Sequence, residues 1–443
     1  MSQQVEKKQI FDDDYELSQI PKTKRKTTIA IAFVLGGMAL NSTEVVSGGT
    51  ITLPLGLEMG LWACAIGAFL DALLAFSLSF PAARYGVTFS LQTRYAFGNL
   101  GNKVPSFMLT VILLGWLGFL IALLADGIVA IFPGLNWHLM VLIAGFGMLI
   151  VSMKGVKGLQ YFGYLAVPIV IVAGTYGIYE VAANAPKFVE ADPNASFMMG
   201  ISQSFAAAVT AGLVYTDVSR FGKTPLQGAI GALIGAFCGL FFCRAVGAIT
   251  TAATGETEYI YAFLALGLGV PAFLFLIFNL TSSIDTQLYS VGLGFANVFN
   301  WSRVKLTAIG GTIGVIIAIT GVIDFWTAWL STLGIIVPPL GGIMLANYYV
   351  TSRSVGYCAL EDIKCKVNWV AIIAWGIGIG CSLISDFCPA LQGIIGGFIG
   401  YAIIMAVLKS TKYDLWKYLT NYDQAVAYNE KIKQEEAEEA TAK

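Results

Sequence analysis

The chain carries little charge, one histidine and no closely paired cysteines. Asp, Glu, Lys and Arg make up 12% of its 443 residues, about half their usual share in soluble domains. The formal net charge of -1 leaves no basic surplus for nucleic acid to act as a partner. His138, the sole histidine, sits in a short connection after Pro133. With one histidine, placed in a connection, a Ser-His-Asp triad, a histidine metal centre and a histidine proton relay are not expected. Cys64, Cys238, Cys243, Cys358, Cys365, Cys381 and Cys388 form no CxxC pair, so neither a zinc site nor a redox motif is present, and they read as small packing residues. An enzyme is not expected, and no cofactor is called for.

Apolar residues are abundant instead, at 57% of the chain with 49 glycines. No single soluble fold hides that much apolar surface, so the expectation is an all-α polytopic membrane protein. A crossing helix needs about 20 mainly apolar residues. Twelve stretches qualify: 27–53, 61–80, 104–130, 137–153, 159–181, 199–216, 226–250, 262–290, 306–323, 326–349, 367–386 and 390–409. Residues 1–26, with FDDDYELSQ and KTKRK, read as a flexible polar tail with no cleavable signal, and 410–443 reads as a second tail. Of the 26 Lys and Arg residues, 24 fall in the two tails or in the loops after even-numbered spans; the exceptions are Lys187 and Arg244. The positive-inside rule makes that face cytoplasmic, with both termini on it; the plasma membrane is the expected location.

Polar, glycine-rich interruptions inside spans call for explanation. The first span contains GGMALNSTEVVSGGT (36–50), and the sixth contains QSFAAAVTAGLVYTD (203–217). They occupy matching places if spans 1–5 and 6–10 are related halves, the pattern of a secondary-transporter site. Unwound backbone at that depth is tolerated only beside protein or a watery cavity; the alternative is a close-packing face of small residues. Glu44 is costly near the bilayer centre. A cation, a donor-rich substrate, Arg244 or its own protonation would each compensate it. Asp71 reads as locally hydrogen-bonded and Asp126 as lying near the outer boundary, while Asp285 also falls within a span. In FNLTSSIDTQLYS (278–290), Asn279, Ser282 and Ser283 share one helix face. Their oxygens, facing carbonyls freed in span one, would cage a small cation, although such hydroxyls often bond back to their own helix. Trp116 in LLGWLGF offers a platform for a planar ligand or an ordinary packing residue.

Several motifs recur in one order: SGGT (47–50), RYAFG (94–98), GWLGF (115–119), YLAVP (164–168), TD-x-x-RFG (216–222), LYSVGLGFAN (288–297), PPLGGIMLANY (338–348) and VNWVAI (367–372). Through them the chain resembles the purine–cytosine permease group of the nucleobase–cation symporter-1 family, and within it bacterial cytosine permeases most. The resemblance implies a LeuT-type fold: ten core helices as a 5+5 inverted repeat over 27–349, broken helices 1 and 6, and two extra helices within 350–409. It also implies cation-driven uptake of a nucleobase or related nitrogen heterocycle by a protein that works as a monomer. The coupling ion would be sodium, which the scarcity of histidine favours, with a proton on Glu44 or Asp285 as alternative. The implied cation site is Gly37, Asn41, Asn279, Ser282 and Ser283. The implied substrate site draws on Ser42, Glu44, Trp116, Ser204, Phe205, Ala208, Thr210 and Ile284. Ile284 replaces an Asn of cytosine permeases. The Ser-Phe-x-Ser pattern of span six falls on Ala207, Ala208 and Thr210 counted back from Asp217, or on Ser204-Phe205 after a two-residue shift. Glu44 stands where cytosine permeases are uncharged. These departures favour another heterocycle over cytosine; an amine or amino-acid transporter on the same fold, and less so a passive channel, are the competing functions.

Overall fold

A computed structural model describes residues 19–153, 156–184, 188–299, 301–385, 387–411 and 415–441. Most of FDDDYELSQ, and Lys7, Lys8, Lys154, Lys187, Lys412 and Lys443 from the charge count, lie outside them. The described chain is helical, and each of the twelve expected spans falls on helix. Eight helices, with a bent pair as a ninth crossing, are long and apolar enough to cross a membrane among the described residues. The fourth, ninth and eleventh spans are shorter, with 16 residues (Trp137–Ser152), 17 (Arg303–Ile319) and 14 (Trp369–Ser382).

The bent pair is the first span, in which Thr28–Ala39 and Ser42–Leu55 meet at 63°. Local chemistry accounts for the break. Asn41 adopts extended backbone, and its side chain accepts from the Thr43 amide at 3.1 Å, starting a new helix. Leu40 closes the preceding one by donating to the Gly36 carbonyl. The sixth span differs from expectation: Phe197–Val214 is one uninterrupted helix, followed by the short Thr216–Ser219 turn. Its run of alanines favours helix, and a Cβ added at Gly212 would lie 3.5 Å from the Asp71 carbonyl of the second span. Gly212 there packs against span two, and only span one is broken among the described residues.

The eighth span also begins later than expected. Tyr259–Ala265 is a separate short helix, Gly267 turns the chain in the left-handed region at φ 74°, and Gly269–Phe299 then forms the crossing. Span one packs on span seven (Pro225–Thr254), seven on two (Leu57–Tyr85), and two on six. Span eight packs on three (Lys103–Ile131), five (Val156–Asn184) and nine. The contact between one and seven is backbone on backbone: a Cβ at Gly247 would sit 1.8 Å from the Val45 carbonyl oxygen. The C-terminal stretch, expected to be a flexible tail, forms helices Leu415–Thr420 and Tyr422–Thr441. Its apolar side chains explain this, since Trp416, Leu419 and Ala425 are buried.

Candidate functional site

Capping at Asn41 starts the second half of span one beside span eight. Asn279 bridges the break: its amide nitrogen donates to the Leu40 carbonyl at 3.0 Å, and its side-chain oxygen accepts from the Ser42 hydroxyl at 2.7 Å. Ser42 also lies 3.4 Å from the Tyr259 hydroxyl. A polar side chain at that depth must find partners, and here it takes one group from each side of the unwound point.

Next to this staple is a cavity of about 70 Å³. Span one contributes Met38, Asn41, Thr43 and Glu44, and span three Leu113 and Trp116. Span six contributes Ala207, Thr210, Ala211 and Val214, joined by Tyr215, and span eight Ser283, Thr286, Gln287 and Ser290. The Thr210 and Tyr215 hydroxyls are buried without a hydrogen-bond partner. Uncompensated burial of a hydroxyl costs about 1–3 kcal/mol, so these atoms are suited to a guest.

Glu44 owes its burial to Arg244. The Arg244 Nε donates to Glu44 Oε2 at 2.8 Å, one terminal nitrogen donates to Ser204 Oγ at 2.8 Å, and the other to Asp71 Oδ2 at 3.2 Å. Its second terminal nitrogen also lies 2.8 Å from Glu44 Oε2. Arg244 and Asp71 are wholly enclosed. One guanidinium thus joins spans one, two, six and seven through separate nitrogens, a task the single nitrogen of Lys does not match. Of the compensations open to Glu44, Arg244 supplies one. Asp71, expected to bond locally, is instead the second carboxylate of this buried triad.

The remaining expected site residues divide. Asn41, Glu44, Trp116, Thr210 and Ser283 line the cavity. Ser204 lies behind it, holding Arg244 and donating to the Cys64 carbonyl at 3.3 Å. Phe205, Ala208 and Ile284 are enclosed in apolar packing rather than facing the cavity, because the unbroken helix of span six presents Ala207, Thr210 and Ala211 instead, and span eight presents Ser283, Thr286 and Gln287. A Cβ at Gly37 would meet Val167 of span five at 2.9 Å. Ser283 Oγ donates to the Asn279 carbonyl at 3.0 Å, and the Ser282 carbonyl accepts from Thr286 Oγ1 at 3.0 Å. Ser283 keeps oxygen lone pairs in that arrangement, and Asn41 lines the same cavity, so hard-oxygen donors from spans one and eight are adjacent.

Tyr215, Thr286, Gln287 and Ser290 escaped the sequence reading. Gln287 and Ser290 follow Ser283 at i+4 and i+7, a face shared on any helix; Tyr215 carried no such signal. Asp126 accepts a hydrogen bond from the Trp137 indole, joining the C-terminal end of span three to span four. Asp285 is buried, and neither carboxylate oxygen is hydrogen-bonded among the described residues. Among those residues no group of three His, Cys, Asp or Glu side chains is arranged for a metal.

A helical membrane protein whose first span breaks beside a polar cavity has the architecture of a secondary transporter, and the comparisons agree. A family model described as permease for cytosine/purines, uracil, thiamine, allantoin matches residues 19–403. The chain belongs to that family, and is a transporter rather than an enzyme. Cytosine permease of Escherichia coli (strain K12) is 29% identical over 403 residues, covering 90% of this chain and 95% of that protein. Hydantoin permease of Microbacterium maritypicum is 22% identical, covering 84% of each. The fold matches Mhp1, a nucleobase-cation-symport-1 family transporter, in a closed conformation with bromovinylhydantoin bound. That match has a TM-score of 0.77 at 18% identity and covers 93% of this chain and 99% of that one. A substrate-bound, outward-open Na+-coupled sialic acid symporter matches with a TM-score of 0.65 at 14% identity, over 89% of this chain and 92% of that one.

Proposed function

We propose that this transporter imports a small planar, electrically neutral nitrogen heterocycle from outside the cell by symport with sodium. The observation that carries the reading is convergence: Trp116, Glu44 and the unpartnered Thr210 and Tyr215 hydroxyls line one cavity beside the break in span one. The ring lies against Trp116, and its N–H groups donate to Glu44 Oε1, the carboxylate oxygen that Arg244 leaves unbonded. Thr210 and Tyr215 meet ring carbonyls or nitrogens. The cytosine and hydantoin permeases among its relatives support the same substrate class.

Sodium binds between the Gly37 and Asn41 carbonyls of span one and the Asn279 carbonyl with the Ser282 and Ser283 hydroxyls of span eight. Binding there ties the two spans and favours the substrate-competent state, and the coupling is reciprocal. The buried, unbonded Asp285 carboxylate supports a second reading, with a proton as coupling ion. Alternating access rocks spans 1, 2, 6 and 7 against 3, 4, 8 and 9. Arg244 makes the first group one body. Both termini lie in the cytoplasm, and one chain suffices for transport.

Uptake of labelled cytosine, uracil, hydantoin and a quaternised pyrimidine into proteoliposomes tests the proposal, with inward sodium, inward proton or no gradient. Concentrative uptake of a neutral ring under sodium, lost in Trp116→Ala, is expected. Uptake of the cationic ring alone, or equilibration without accumulation, refutes it.

A further inference from the structure

We propose that a second pocket, on the face rich in basic residues, binds a phosphate group. It shares no lining residue with the central cavity and encloses about 570 Å³. The end of span two, the chain after span ten and the C-terminal helix Tyr422–Thr441 build it. Three bonds fix its walls. The Tyr85 hydroxyl donates to Asn429 Oδ1 at 3.1 Å, the Asn429 amide donates to the Tyr357 carbonyl at 2.7 Å, and the Tyr357 amide donates to the Tyr85 hydroxyl at 3.0 Å. At Gly356, φ is 75° and a Cβ would collide with the Tyr85 hydroxyl at 2.4 Å, so the turn and the helix are fitted to each other.

Three cations, Arg84, Arg353 and Lys433, line this space against one carboxylate, Glu430. Arg84 lies over the Tyr85 ring, 5.8 Å from its centroid. Arg353, Lys433 and Glu430 are exposed and form no ion pair among the described residues. Cations gathered around one concavity raise its potential and draw in an anion. A guanidinium pair with nearby hydroxyls suits phosphate oxygens, and Ser352 and Ser354 line the same wall. The volume exceeds that of phosphate alone and leaves room for a substituent. Tyr349, another lining residue, and the adjacent Val350 are 38% and 48% exposed. The Tyr349 hydroxyl donates to the Ser77 carbonyl of span two at 2.8 Å. The mouth therefore opens at the edge of the apolar belt, where phospholipid headgroups lie. The shared chemistry is a phosphate ester or free phosphate.

The test uses the full chain purified in detergent, with binding read by native mass spectrometry and thermal unfolding. Ligands are phosphatidylglycerol, phosphatidylcholine of the same acyl chains, and inorganic phosphate. Arg353→Gln with Lys433→Gln is compared with Lys223→Gln plus Lys305→Gln, which removes equal charge elsewhere on the same face. Preferential retention of phosphatidylglycerol is expected, weakened roughly tenfold or more in the pocket variant and less than about twofold in the control. Binding of inorganic phosphate with the same variant pattern, in place of the lipid, also supports the pocket and names free phosphate as the source. Equal retention of both lipids with no binding of phosphate, or equal losses in the two variants, overturns it.

Discussion

Replacing Arg244 with Met removes the one cation held by Glu44 and Asp71 while keeping an unbranched side chain in the space. Deleting one partner of a buried pair costs about 3–5 kcal/mol, because the other charge is left uncompensated. Here two carboxylates, 5% and 0% exposed, lose their partner, so about 4 kcal/mol is a lower figure. With an unfolding entropy of about 2.1 cal/mol/K per residue, the whole chain gives about 0.9 kcal/mol/K, and the midpoint falls by about 4–5 °C. Restricted unfolding in a detergent micelle lowers that entropy and enlarges the shift. Thermal unfolding of purified Arg244→Met by intrinsic fluorescence measures it. The triple variant Arg244→Met, Glu44→Gln, Asp71→Asn restores most of the loss, since neutral replacements of a buried triad are often well tolerated. It still binds substrate weakly, because the carboxylate acceptor is gone. Arg244→Lys keeps the charge but not the three separate contacts, and falls between Met and the parent. The reasoning is refuted if Arg244→Met melts with the parent, or if the triple variant is no more stable than the single one.

Further outcomes follow from other parts of the molecule. Ser282→Ala with Ser283→Ala abolishes sodium stimulation of substrate binding while membrane insertion continues; unchanged stimulation in a ligand titration removes the cation site from span eight. Gly247→Ala forces a Cβ to within 1.8 Å of the Val45 carbonyl oxygen, so its yield of monodisperse protein by fluorescence size exclusion falls severalfold. Ala at Gly147, where a Cβ meets nothing within 4 Å, leaves the yield unchanged. Burial pushes the Cys358 thiol up to about 12 and the Cys365 thiol up to about 11. Both are protonated at neutral pH, and since the thiolate is the reactive form, maleimide labels them slowly until denaturant is added. Labelling of either in native protein at the rate of a free thiol contradicts the packing of the 352–368 loop.

Periodicity and composition carried much of the architecture. Long apolar runs can satisfy their backbone only as helices in a bilayer, so the helical membrane architecture is legible, and the polar residues Asn41 to Glu44 mark an interruption within the first span. The same reasoning misjudged the sixth span. Glycine and alanine are ambiguous between unwinding and close packing, and only the position of span two beside Gly212 separates them. The late start of span eight depended on one left-handed turn at Gly267.

The candidate site divides similarly. Asn41, Glu44, Trp116, Thr210 and Ser283 stood out because polar or flat groups at mid-depth need a reason to be there. The sequence suggests Asn279 as a carbonyl ligand of an ion; in the structure its side chain staples span one. Tyr215 resembles any aromatic residue at a span end. The linear chain therefore determined that it lies in a membrane and how its helices follow one another, because those depend on local hydrophobicity; which of the two glycine-rich spans is broken was left to the packing. What only the tertiary structure decided is which charges meet: Glu44 and Arg244 stand 200 residues apart. Such a pairing is set by how four helices cross, a relation that no local pattern contains.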